Sequence, residues 1–175
     1  MANRSTLDDL LAGQEIRDLI ARYFRYVDRK DFEQLRSVYH PDAYDNHGLY
    51  AGDVDGLIKW LTTRHAAIVQ STHLVGNCLI TRTGDVAYGE TYGLLIQHEQ
   101  LDRSAFSDGS ELYRRMLLGV RYADRFEKRD GEWRIARHEV IYEWSKEELA
   151  NLRFDSVMTV AQRSAEDLSY AFGTL

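Results

Sequence analysis

A chain of 175 residues is long enough to bury one sizeable core and short for two, so a single domain over 1–175 is expected, with its core at about 7–144 and a helical tail over 145–175. With 22 Lys plus Arg against 28 Asp plus Glu the net charge is −6, and the basic residues are scattered, which argues against nucleic-acid and membrane-surface partners. The lone cysteine, Cys78, cannot close an internal disulfide, the first eleven residues lack the marks of a secretory leader, and no apolar run approaches the roughly 20 residues that cross a bilayer, so a cytoplasmic setting is expected.

Ile16, Leu19, Ile20, Tyr23 and Val27 follow the spacing of one helical face, with Asp8 and Asp9 placed early where the helix dipole favours them. Phe32, Leu35 and Val38 predict a short second helix after Asp31, ended at His40-Pro41 because the residue before proline is pushed out of the α region. Asp53 is a good N-cap for a third helix carrying Val54, Leu57, Ile58, Leu61 and Ile68. From Ser71 onward the period changes to two, and 72–83, 86–99, 112–127 and 133–144 read as long strands. Gly84-Asp85 and Asp130-Gly131 are tight turns that join them into an antiparallel meander. The polar stretch 100–111 is expected to be a loop able to act as a flap, and Ser145 with Glu148 reads as a capping box opening a C-terminal helix. Helices first and strands second make an α+β fold, a curved antiparallel sheet wrapped with three N-terminal helices around a pocket at its wide end.

No CxxC, HExxH, P-loop or dinucleotide fingerprint is present, so neither metal nor cofactor is expected, and chemistry would rest on side chains. His73 lies in the strand segment 72–77, where it shares a face with Val75 and Asn77. An imidazole can take a proton from carbon when a carboxylate fixes its tautomer. Asp28, late in the first helix, is the best-placed carboxylate, although an aspartate there can equally cap the next helix, and a strand histidine can equally bond backbone. Tyr44 and His47 stand in a polar segment beside an aromatic and suggest a second acid near the pocket mouth, or an ordinary turn. Trp60, Tyr92 and Tyr142 are candidate lining aromatics, while His40, His65, His98 and His138 read as structural or exposed.

The runs Tyr23-Phe24-Arg25-Tyr26-Val27-Asp28, Tyr39-His40-Pro41-Asp42-Ala43, Thr72-His73 and 129–135 together resemble the SnoaL-like branch of the nuclear transport factor 2-like superfamily, over about 7–144. The resemblance implies a cone-shaped fold of the cystatin-like kind. It also implies cofactor-independent elimination of water or halide through an Asp-His dyad, matched here by Asp28 and His73. An arginine on the last strand of such lyases matches Arg137, and a tyrosine five residues before the aspartate matches Tyr23. The expectation is therefore a dehydratase or dehydrohalogenase acting on an apolar alicyclic or steroid-like molecule. An isomerase using the same base, or a non-catalytic binding and assembly domain, are the alternatives. An exposed sheet face would make the chain a homodimer or homotrimer.

Overall fold

The computed structural model describes residues 6–101 and 112–173; the flap expected at 100–111 thus lies almost wholly outside the described residues. The first helix, α1 (Leu7–Arg29), opens on a capping box: the Thr6 hydroxyl accepts from the Asp9 backbone N–H, and the Asp9 carboxylate accepts from the Thr6 N–H at 2.9 Å. Its apolar stripe is buried from Ala12 to Val27, and Lys30 in left-handed backbone ends it at φ 56°. The short α2 (Phe32–Ser37) is capped by Asp31, and α3 (Val54–Arg64) by Asp53, whose carboxylate accepts from the Gly56 N–H at 2.8 Å.

The strands β1 (Tyr39–Asn46), β2 (Ala51–Gly52), β3 (Ile68–Thr83), β4 (Val86–Gln100), β5 (Tyr113–Arg129) and β6 (Glu132–Ala150) form one sheet in the order β2-β1-β6-β5-β4-β3. The meander from β3 to β6 is antiparallel, as the turns predict. Gly84 with φ 61° opens the first hairpin, and Asp130 and Gly131, both at positive φ, close the last. The sheet is nevertheless mixed, because β1 runs parallel to β6. This α+β architecture packs α1 across the sheet, burying Phe24 and Val27 together with Val120, Tyr122 and Phe126 in one cluster.

Three expectations are corrected. The second helix ends at Ser37, and 39–46 is a strand; Pro41 is tolerated in it because the pairing with β6 is interrupted between Tyr39 and Tyr44, so its missing N–H is not needed. The third helix ends at Arg64, and Ile68 begins β3. No helix opens at Ser145. There β6 continues to Ala150, because the first third of β5 needs a partner strand, and Glu148 reaches across to Arg115 (3.0 Å) instead of back to Ser145. From Asn151 to Gly173 the chain is irregular apart from a 3-10 turn at Leu168–Phe172. No helix among the described residues is long and apolar enough to cross a membrane.

Candidate active site

A cavity of about 450 Å³ opens between α1, α3 and the concave sheet face, with an apolar lining that includes Leu61, Leu95, Leu118 and Val140. Asp28 stands behind its wall because it follows Ile20 and Phe24 at four-residue steps along α1, on the side turned to β3. Its Oδ1 lies 2.7 Å from His73 Nδ1 and accepts from the Ser71 hydroxyl at 2.7 Å, while Oδ2 accepts from the His73 backbone N–H at 2.9 Å. Burial by itself would raise the Asp28 pKa, but the His73 ring, the Ser71 hydroxyl and the His73 N–H all favour the carboxylate and hold it below the ordinary value. A carboxylate at Nδ1 places the ring proton there, so Nε2 keeps its lone pair on a histidine that lines the cavity. Phe24 stacks on the imidazole with ring centres 4.8 Å apart, and Gln97 adds a 3.4 Å contact to Ser71.

A second set of polar groups gathers around Tyr23 and His47, which also line the cavity. His47 Nδ1 lies 2.5 Å from Asp45 Oδ1, and its Nε2 lies 3.3 Å from the Tyr23 hydroxyl. The Asp45 Oδ2 accepts from Tyr39 at 2.6 Å. Burial raises the Tyr23 pKa well above the ordinary phenol value, so Tyr23 is a protonated donor at neutral pH. Behind it, the fully buried His138 places Nδ1 2.6 Å from Asp124 Oδ1. Burial favours the neutral His138 ring, yet the charge and hydrogen bond of Asp124, with Asp45 beyond, raise its pKa.

Of the residues singled out in the sequence, Tyr23, His47, Trp60, His73 and Tyr142 line this cavity, with Asp28 directly behind His73. Arg137 does not: it is largely exposed, pairs with Glu139 (2.7 Å) and lies over the ring of Tyr44 at 4.8 Å, so Tyr44 too is away from the lining. The cause is a bulge. Phe126 pairs with Ile135 but Arg125 with Arg137, leaving Ala136 as an extra residue that reverses the alternation and turns His138 inward. A similar irregularity between Val75 and Cys78 takes Asn77 off the face of His73 and leaves it exposed. Tyr92 is on the outer face under Arg121, 5.8 Å from its guanidinium carbon. His65 and Arg64 line the cavity unforeseen. Arg64 falls on the stripe of Leu57 and Leu61, a spacing that could have revealed it, and its guanidinium approaches Met116 Sδ at 3.7 Å.

The SnoaL-like domain family model matches residues 8–139, three-quarters of the chain. The chain belongs to the SnoaL-like domain family. No curated protein matches this SnoaL-like chain. Among solved structures it is similar to a type 2 hexachlorocyclohexane dehydrochlorinase, LinA, with a TM-score of 0.71 and 19% identity, covering 87% of this chain and 99% of that one. A candidate scytalone dehydratase from Novosphingobium aromaticivorans matches with a TM-score of 0.69 at 17% identity over 87% and 97% of the two chains. A protein of unknown function with a cystatin-like fold from Nostoc punctiforme matches at 0.60 and 17% over 81% and 96%. At these identities the likeness is one of fold.

The SnoaL-like chain adds, beyond the matched region, an arginine that ties the two halves of the dyad together. Arg163 donates from Nε to the Asp28 carbonyl (2.8 Å) and from Nη2 to the Val27 carbonyl (3.0 Å), both at the end of α1, and from Nη1 to the Ile68 carbonyl (2.8 Å) at the start of β3. Its Nη2 also lies 2.9 Å from His65 Nδ1. Around it, Tyr170 donates to Asp31 (3.2 Å) and lies under Arg25 at 4.5 Å. Arg163→Ala removes three hydrogen bonds to backbone carbonyls at the end of α1 and the start of β3, so a loss of about 2–4 kcal/mol in unfolding free energy is expected. Urea denaturation measures it; a loss under about 0.5 kcal/mol, the range of an ordinary surface substitution, would show the strap to be ornamental.

Proposed function

We propose that this chain is a cofactor-independent lyase, of dehydratase or dehydrohalogenase type, acting on an apolar alicyclic or steroid-like small molecule. The observation that carries this reading is the buried 2.7 Å contact between Asp28 Oδ1 and His73 Nδ1 at the wall of an apolar cavity. His73 Nε2 takes the proton from carbon and the C–H electron pair becomes the new double bond. The leaving group departs with its own electron pair toward the Tyr23 phenol and the Arg64 guanidinium, which offer a proton and a positive charge. Arg64 thus takes the part first assigned to Arg137. The similarity in fold to LinA adds a dehydrochlorination to the candidate reactions.

The reading includes one domain over 1–175, a cytoplasmic setting and a homodimer or homotrimer; Leu79, Tyr88 and Trp144, exposed on the strands, favour assembly through the sheet.

A panel of cyclic β-hydroxy ketones and polychlorinated cyclohexanes tests the reaction, followed by the absorbance of the conjugated product or by chloride release. At least one member is expected to turn over with wild-type protein and to fail with Asp28→Asn. Failure of the whole panel, or equal rates in the two proteins, would overturn the proposal. Nitrogen-15 NMR of the His73 ring tests the dyad without a substrate: the Nδ1–H tautomer is expected in the wild type and a changed tautomer balance in Asp28→Asn. The same spectrum in both proteins would uncouple the pair.

A further inference from the structure

Asp45 on β1, His138 on β6 and Asp124 on β5 are register partners, forming one inward row across three adjacent strands. All are buried, at 0%, 2% and 6% exposure. His138 Nδ1 lies 2.6 Å from Asp124 Oδ1, and the other ring nitrogen, the buried Nε2, has no hydrogen-bond partner among the described residues. One ligating atom each from Asp45, His47 and His138 lie within 4.8 Å of one another.

Charge points the same way. Both carboxylates have only imidazoles as ionic partners among the described residues, Asp45 with His47 and Asp124 with His138. Two carboxylates held out of water against imidazoles alone form a donor set whose negative charge one divalent cation balances, with the ring protons it displaces leaving to solvent. The supporting bonds are those that orient metal ligands: Asp124 fixes the His138 ring, and Tyr39 occupies Asp45 Oδ2 while Oδ1 faces His47.

We propose that Asp45, His47 and His138 bind one divalent first-row transition-metal ion, for which two imidazoles and a carboxylate with an open fourth position suit zinc. The ion replaces the proton held between Asp45 Oδ1 and His47 Nδ1, which leaves to solvent. Those atoms, 2.5 Å apart, separate by under about 1 Å to span the edge of a tetrahedron with bonds of about 2.0–2.1 Å. His47 lines the cavity and so supplies the entry path, and the Tyr23 hydroxyl, 3.3 Å from its Nε2, stands next to the site. The site goes beyond the lyase reading and does not depend on it, since Asp28 and His73 take no part.

The untagged chain, stripped with chelator, is titrated with Co(II) and Zn(II). A visible ligand-field band saturating at one Co(II) per chain, displaced by Zn(II), is expected. His47→Gln and Asp45→Asn should weaken binding by at least about 100-fold, and Asp124→Asn by about 10- to 100-fold through its loss of support for His138. His47 is the most accessible of the three, so its variant keeps the fold, checked by circular dichroism. The absence of a saturating band, or unchanged affinity in both His47→Gln and Asp45→Asn, overturns the site.

Discussion

Replacing His73 by alanine is expected to lower turnover of any eliminated substrate by about 10²- to 10⁴-fold, the usual contribution of a positioned general base, while leaving the melting temperature nearly unchanged. The two readouts separate because of where the ring lies. It is held from behind by Asp28 and stacked on Phe24, but its other nitrogen faces a cavity instead of core, so truncation enlarges a space that is already open. Asp28 keeps the Ser71 hydroxyl and the backbone N–H of residue 73 and is therefore not stranded. Single-turnover rates and thermal melts on the same preparations decide the matter. Turnover within threefold of wild type would remove His73 from the mechanism, and a collapse in melting temperature would assign it to the scaffold.

The second large effect is acid lability, and it comes from His65. Burial first, and then the positive charge of Arg163, depress its pKa from 6.5 to about 3. The unfolded chain takes up a proton below pH 6.5 that the folded chain refuses until about pH 3, so stability falls as pH drops through that window. The slope is about 1.4 kcal/mol per pH unit, and the total is about 3–5 kcal/mol. Asp28 and Asp45, both depressed, withdraw further stability as pH falls below 3.8 toward their folded values. His138 works in the other sense: its pKa is raised above 6.5, so its contribution is complete below that value and is lost as pH rises through the folded pKa. His65→Gln keeps an acceptor for Arg163 without a titrating ring. Urea midpoints measured from pH 7 to pH 4 should fall steeply in the wild type and much less in His65→Gln. Parallel curves for the two proteins would refute the assignment.

How much of this was legible in the sequence depends on whether local pattern or pairing decides the residue. The stripe of α1 was readable because a helix carries its own period, and the same geometry places Asp28. His73 was readable because β3 alternates regularly from Ser71 to Val75. Strand β1 was hidden: its proline and polar residues imitate a turn, and only its neighbours β2 and β6 complete its hydrogen bonds. The capping pattern at Ser145 has the right letters, but the demand of β5 for a partner strand outweighs it. Arg163 and its contacts follow from how the tail lies over the end of α1, which no periodicity encodes.

The extra residue in β6 has a consequence for how such walls change over evolutionary time. Ala136 carries no function of its own, yet it decides whether position 137 or 138 meets the interior. Inserting one residue into β5 opposite it, so that both strands regain regular alternation, would exchange a buried imidazole for a guanidinium without altering either residue. A length change of one, usually counted as damage, is in this sheet a way to trade an imidazole for a fixed positive charge at the interior wall.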